Sequence, residues 1–347
     1  MSDGGTSPTV NSRGRAALVC GAGGFIGGHL VERLKAEGFW VRGVDSKLPE
    51  FRATAANEYA VLDLTRPEAC QQALADRRFD HVYQLAASMG GMEFISTSEC
   101  QILNQSVRIN VNMIDAAARA SVDRYFFASS VCVYRDMAAG EPALPEEAAY
   151  PALPDNEYGW EKLYSERVLL AYGRHHAMKP RIGRFENTYG PFGTWRGGRE
   201  KAPAALCRKV AMAPDGGEIE AFGDGTAVRA YTYIDDLIEG IRTLVESDWN
   251  RPTNIGTDEY VTVAELIAAI ADVSVKRFTV KYVPGPVGVR SRNFSKTRIE
   301  SLGHGSHTPL RAGISVLYEW IARQVTDAPA AGEGATTVSA CGRTPGA

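Results

Sequence analysis

From residue 16 onward, short β-rich runs alternate with amphipathic helical patterns. AALVC (16–20) is a continuous apolar run, FIGGHLVERLKAEG (25–38) spaces its apolar residues as a helix does, and WVRGVD (40–45) returns to strand-forming residues. Further along, the pattern predicts a helix over 67–75, a strand in HVYQLAA, a helix over VRINVNMIDAAARA, a strand in RYFFASS, a helix over 157–173 and a strand in PRIGRF. Such alternation argues for an α/β fold with a parallel sheet flanked by helices.

After Phe185 the character changes. The Gly/Pro/Trp-rich segment ENTYGPFGTWRGGREKAP leads into a helix at AALCRKVAM, which marks the start of a smaller, substrate-binding region. YTYIDDLIEGIRTLVES is expected to return to the first unit, and VTVAELIAAIADV through IARQV to resume the second. The expected division is therefore 15–185 with 230–255 in the first unit, and 186–229 with 256–326 in the second. Residues 1–14 and 327–347 are small, polar and aperiodic, the composition of tails that cannot bury enough surface to order. No internal repeat is visible.

Composition narrows the function classes. With 38 basic and 41 acidic residues in 347, the net charge of −3 gives no reason to expect nucleic acid or an anionic membrane as the main partner. No apolar leader opens the chain and no stretch approaches the roughly 20 apolar residues that span a bilayer, so a cytoplasmic protein is expected. Six scattered cysteines (Cys20, Cys70, Cys100, Cys132, Cys207 and Cys341) form no C-x-x-C pair. Neither a disulfide framework nor a metal site is predicted, and His304 and His307 lie in a Gly/Ser-rich loop without other ligands nearby.

Two motifs carry chemistry. Gly21, Gly24 and Gly27 form G-x-x-G-x-x-G between the first strand and the first helix, with Phe25 and Ile26 inside the motif. Glycine lets the backbone approach a pyrophosphate, and the helix start offers free N–H groups and the positive end of its dipole. Asp45 ends the next strand 24 residues after Gly21, where a carboxylate accepts hydrogen bonds from an adenosine ribose and repels a 2′-phosphate, which favours NAD over NADP. Asp63, after the third strand, is a candidate for the adenine end. The second motif is Y-x-x-x-K, Tyr158 and Lys162, whose i,i+4 spacing puts both side chains on one helix face. A neighbouring ammonium favours phenolate and should lower the tyrosine pKa, so that Tyr158 can exchange a proton with an alcohol while hydride moves. Ser130 stands at the end of the fifth strand, 28 residues before Tyr158.

Together these motifs resemble the extended short-chain dehydrogenase/reductase superfamily over about residues 15–325. That resemblance implies a Rossmann-type doubly wound parallel sheet with a smaller C-terminal α/β nucleotide-sugar-binding domain, and a Ser130, Tyr158 and Lys162 set that oxidises a sugar hydroxyl with NAD. More narrowly, SMGGMEFI (88–95), ASSVCVY (128–134), EYGWEK (157–162), RIGRFENTYGPFGTWRGGREKAPAALCRK (181–209) and PGPVGVRSRN (284–293) look like the GDP-mannose 3,5-epimerase family. The resemblance makes Cys132 and Lys201 an acid/base pair and places Gly91, Ser130, Cys132, Asn187, Glu200, Lys201, Ala202, Lys209, Arg229 and Arg290 along the nucleotide sugar.

It also implies the reaction. Tyr158 takes the O4 proton as C4 is oxidised, Cys132 and Lys201 exchange protons at C5 and C3, and C4 is reduced again. GDP-mannose would then yield GDP-L-galactose or GDP-L-gulose, and a homodimer is implied. A thiol and an amine suit the exchange, since protons next to a ketone are acidic and inversion needs groups on opposite faces. The chain departs from the family pattern at Ser88, Glu93, Glu186 and Ala227, where the family has Asp, Gly, His and Gln. Glu93 and Glu186 are expected to bring negative charge near the sugar pocket or its supporting shell, and Ala227 to remove an amide that helps hold the nucleotide. Two alternatives stand beside this reading: a C4 epimerase of another nucleotide sugar, which needs no Cys/Lys pair, and a dinucleotide-binding redox sensor, which needs no Ser/Tyr/Lys set.

Overall fold

A computed structural model describes residues 14–138, 140–154, 156–285 and 292–327. Of the two expected tails, only Gly14 and Asp327 fall within it, and Asp327 is the last residue of a helix.

Twelve strands follow in chain order: β1 (Ala16–Cys20), β2 (Trp40–Asp45), β3 (Glu58–Val61), β4 (His81–Gln84), β5 (Arg124–Ser130), β6 (Lys179–Phe185), β7 (Asn187–Tyr189), β8 (Gly217–Phe222), β9 (Val228–Tyr233), β10 (Thr253–Ile255), β11 (Tyr260–Thr262) and β12 (Phe278–Val283). Between them run α1 (Phe25–Ala36), α2 (Pro67–Leu74), α3 (Met92–Thr97), α4 (Glu99–Arg119), α5 (Glu157–His175), α6 (Ala202–Met212), α7 (Ile234–Glu246), α8 (Val263–Ser274), α9 (Thr297–Ser301) and α10 (Leu310–Asp327).

Seven parallel strands form the main sheet in the order β10-β6-β5-β4-β1-β2-β3. The order reverses between β1 and β4, and in open α/β sheets ligands bind in the crevice at such a switch point. Alternate residues of the central strands feed two cores. Ala17 and Val19 of β1 and Phe126 of β5 pack with α1 and α7, whereas Leu18, Cys20, Tyr125 and Phe127 pack with α2, α4 and α5. Covered on both faces, β1 is buried at all five positions, which is why AALVC shows no polar alternation.

The remaining strands form a three-stranded sheet, β11-β9-β7, and a pair, β12-β8. Leu206, Cys207 and Val210 of α6, Leu266 and Ile270 of α8 and Ile314 and Leu317 of α10 extend the α1/α7 core into this region. The chain returns to the main sheet through α7 and β10, which pairs with β6, while β9, just before α7, stays in the small sheet. One helix begins earlier than its pattern predicts. α4 starts at Glu99, whereas the apolar pattern marks a helix only from Val107; the buried Ser106 interrupts the apolar periodicity ahead of that point.

Candidate active site

The glycine motif builds its cradle from backbone. Gly21 has φ +83° and its N–H donates to the Val44 carbonyl at 2.7 Å, so the chain turns sharply off β1. A Cβ on Gly21 would lie 2.9 Å from the Ala86 nitrogen beyond β4, and one on Gly27 only 2.0 Å from the Gly21 carbonyl oxygen. Gly24 is the N-cap of α1 and no side chain caps that helix start. Its free N–H groups therefore face the switch-point crevice, a fit for the pyrophosphate of NAD. Asp45 closes the side, accepting the Gly23 N–H at 3.0 Å. Phe25 and Ile26 turn towards the α1/α7 core, and the Phe25 ring packs beside Gly190 and Gly193, tying the cradle to the segment that leads into the smaller region. Asp63 is used locally: its Oδ1 accepts from the Thr65 N–H at 3.0 Å and hydroxyl at 2.7 Å ahead of α2, and these bonds hold its carboxyl below the usual range.

β5 and α5 bring the catalytic frame together. Pairing of β5 with β6 runs out to Ser130 opposite Phe185. There the chain enters a 3-10 turn, Val131–Val133, whose Cys132 N–H donates to the Ser130 hydroxyl at 3.1 Å. Asn156 caps α5 through the Gly159 N–H. A Cβ at Gly159 would sit 2.0 Å from the Cys132 carbonyl oxygen, so glycine between Tyr158 and Trp160 is what lets α5 lie against the cysteine turn. Tyr158 is buried and hydrogen-bonded to Ser130, beneath Ile95, Ile102 and Phe94. The Lys162 ammonium lies 5.5 Å from the Tyr158 ring centroid and 4.8 Å from that of Phe127.

The expected lowering of the Tyr158 pKa is not what this environment produces. Burial pushes the phenol well above its ordinary value, and Cys132 and Glu161 push the same way against the Ser130 hydrogen bond.

Cys132 gathers positive charge from distant segments. Arg292 places Nη1 3.8 Å from the Cys132 Sγ and donates to the Val131 carbonyl at 3.1 Å. Lys201 is the N-cap of α6, where burial pushes its amine down and nearby Cys132 pulls it up. Gly91 caps α3 against this segment, its Cβ position 2.9 Å from the Glu200 carbonyl oxygen. The Glu200 side chain folds the loop itself, accepting from the Gly198 N–H at 2.8 Å and pairing with Arg208 at 2.9 Å, and Ala202 opens α6. On β9, Arg229 is driven down by burial, against the pull of Tyr231 and with a smaller push from Arg292, and its Nη1 donates to the Val228 carbonyl at 2.7 Å.

Other expected positions lie to the side. Asn187 opens β7 and donates to the Ala230 carbonyl at 3.5 Å, while Lys209 is held on the Glu220 carbonyl at 2.7 Å. Arg290 and the Glu93 side chain lie outside the described residues. Arg292, two positions after Arg290, is a contact that the sequence reading passed over. The repeated Arg in GVRSR was the only signal for it.

The Glu186 carboxylate is buried on Lys296 Nζ at 2.8 Å, with the Tyr260 hydroxyl at 3.3 Å and the Thr257 N–H at 3.2 Å, so its charge is met within the fold. Ala227 sits just before β9, its carbonyl accepting the Val263 N–H at 3.1 Å, and Ser88 is half-buried beyond β4.

Residues 17–256 match the NAD dependent epimerase/dehydratase family. The chain is 40% identical over 320 residues to the GDP-mannose 3,5-epimerase of Arabidopsis thaliana, covering 90% of this chain and 84% of that protein. The chain belongs to this epimerase family, among the GDP-mannose 3,5-epimerases. It is also 28% identical over 273 residues to the GDP-L-fucose synthase of Escherichia coli, covering 75% and 85% of the two chains. Among solved structures it resembles a UDP-glucose 4-epimerase of Thermus thermophilus in complex with NAD, at TM-score 0.78 and 25% identity over 88% and 98% of the chains. A UDP-glucose 4-epimerase of Thermotoga maritima shares the fold at TM-score 0.80 and 23% identity, over 89% and 99%. This is an NAD-dependent nucleotide-sugar epimerase.

Proposed function

We propose that the enzyme converts GDP-mannose by oxidation at C4 followed by epimerisation at C5 and C3, giving GDP-L-galactose, GDP-L-gulose or both. The observation that carries this reading is the meeting of Cys132, Lys201 and Arg292 beside the Ser130, Tyr158 and Lys162 frame. A C4 epimerase has no use for a thiol and an amine at that place.

The Gly21–Gly27 cradle would hold NAD, which would supply the hydride acceptor and donor for C4. Tyr158, oriented by Ser130, takes the O4 proton and gives it back, and Lys162 supplies positive charge beside it. Once C4 is a ketone, the hydrogens at C3 and C5 become acidic. Cys132, with the Arg292 guanidinium 3.8 Å from its Sγ, removes the C5 proton. Lys201, its amine made less basic by burial, is the partner that delivers a proton to the opposite face. Arg229, with Arg292, holds the diphosphate, and Gly91, Asn187, Glu200, Ala202 and Lys209 line or support the remainder of the nucleotide-sugar cleft. The cofactor is carried by 15–185 with 234–255, and the sugar by 186–233, which keeps β9 in the small sheet, with 256–326.

The enzyme acts as a homodimer in the cytoplasm. Trp160 and Tyr164 are 42% and 52% exposed and one turn apart on α5, and Tyr150 and Leu153, earlier in the chain, are 48% and 65% exposed. Arg167 of α5 lies 5.9 Å from the Tyr150 ring, and these exposed apolar side chains suit a second copy of the chain. Among the described residues no helix is long and apolar enough to cross a membrane.

Incubation with GDP-mannose in deuterated water tests the reading. NMR should show deuterium at C5 and C3 of an inverted product, and product formed without solvent deuterium at either carbon would favour the C4 epimerase.

A further inference from the structure

Beside the catalytic lysine stands a second buried charge that the reaction does not use. Glu161 has a fully buried side chain, and its Oε2 lies 3.7 Å from Lys162 Nζ, whose side chain is 3% exposed. Adjacent helix residues point in different directions, and both are covered only because α5 is sandwiched between α4 and the sheet. An ammonium taken out of water needs a counter-charge, and Glu161 provides it.

The carboxylate is itself held firmly. Oε1 accepts from Asn110 Nδ2 at 2.6 Å and from the Ser165 hydroxyl at 2.8 Å, while Oε2 has no hydrogen-bond partner among the described residues and faces the ammonium alone. Asn110 Oδ1 accepts from Gln84 Nε2 at 2.8 Å. Gln84 in turn brackets Ala86, donating to its carbonyl at 3.1 Å and accepting its N–H at 3.3 Å. Ala86 is the residue whose backbone walls Gly21. A set of buried and part-buried hydrogen bonds thus runs from Ala86, beside the dinucleotide cradle, through β4 and α4 to Glu161, whose other oxygen faces the catalytic lysine at 3.7 Å.

We propose that Glu161 is a positioning residue that fixes the Lys162 ammonium relative to Tyr158 and to the cradle, and that its negative charge offsets part of the field that Lys162 exerts on the phenol. The proposal builds on the Tyr158/Lys162 frame and does not depend on which sugar is bound. Its consequence has a definite sign. Removing the carboxylate leaves the ammonium unopposed, so phenolate forms at lower pH, yet the ammonium loses its anchor and proton transfer becomes slower.

Glu161→Gln tests both halves. A fluorinated tyrosine placed at position 158 has a more acidic phenol whose titration is read by fluorine NMR without any substrate. Its midpoint should fall by about one pH unit in the Gln variant, a modest effect for a charge acting across several ångströms of partly buried protein. In single turnovers with GDP-mannose, NAD reduction should slow by about 10-fold at its optimum, as expected when a reacting group is held less well. NAD affinity, followed through tryptophan emission, should stay near that of the parent.

An unmoved midpoint overturns the proposal, including the case where thermal stability and NAD affinity fall together, which is the mark of a merely structural residue. If the Gln variant does not fold, Glu161→Asp takes its place. It keeps the charge but withdraws it by one methylene, so the midpoint should fall by less, and parental behaviour in midpoint and rate would overturn the proposal. A parent enzyme that fails to reduce NAD with GDP-mannose would sink the proposed substrate while leaving the fluorine titration to decide the role of Glu161.

Discussion

The two halves of the active site are built in opposite ways. The dinucleotide cradle is made almost entirely of backbone from one short stretch: three glycines, an uncapped helix start and a strand-end aspartate, all within residues 21–45. The proposed sugar half draws on side chains of the 3-10 turn after β5, the start of α6, strand β9 and the segment before α9, and Arg292 reaches Cys132 across 160 residues of chain. A backbone cradle accepts one shared cofactor whatever surrounds it. A site assembled from distant side chains can change chemistry by exchanging one residue, which is how a single fold serves epimerases acting on different sugars.

Tyr158 is where the halves join, so its loss should have the largest effect. Tyr158→Phe should lower turnover by about 10²–10⁴-fold, the usual contribution of a general acid or base, and nicotinamide absorbance under saturating substrate reports it. A Phe variant that reduces NAD at the parental rate would place the base elsewhere.

Acid should weaken the cradle's foundation. His81 heads β4, whose far end leads to the Gly21 wall, and burial lowers its pKa from 6.5 to about 4, with Arg242, Arg124 and Arg15 adding to the effect and Glu246 opposing it. The folded imidazole resists a proton that the unfolded chain accepts. Stability is therefore complete above about pH 6.5 and falls as the pH drops towards 4, by up to about 3 kcal/mol. Urea unfolding at a series of pH values measures this slope, and a flat profile would mean that His81 is protonated without cost.

Gly27→Ala addresses the cradle alone. Its methyl group would meet the Gly21 carbonyl oxygen, and the backbone shift needed to relieve that contact should cost about 1–3 kcal/mol. NAD affinity, by titration, should fall by a corresponding factor, while Cys132 and Lys201 keep their places. Unchanged affinity would show that the cradle tolerates the displacement.

The same contrast decides what could be read from the chain. Gly21, Gly24, Gly27 and the Tyr158/Lys162 pair announce themselves by local spacing, and most strands and helices by apolar period. Long-range pairings do not. Glu186 is legible in the sequence as an added charge near the sugar pocket or its supporting shell, but its partner, Lys296, lies 110 residues away and is not. Ser106 is a polar residue in a buried position, which weakens the very periodicity that marks a helix, and the first turns of α4, from Glu99, are not legible for that reason. The role of Cys132 came from resemblance, and its arginine contact, Arg292, became visible only through the fold.

The most direct test of a two-part site is Cys132→Ala mixed with saturating GDP-mannose in deuterated water, followed both by nicotinamide absorbance and by NMR of the recovered sugar. The cradle and the Tyr158 frame remain intact in this variant, so NAD should still be reduced while inversion at C5 is lost. Loss of NAD reduction together with inversion would contradict the account, because oxidation and epimerisation would then depend on one inseparable set of groups.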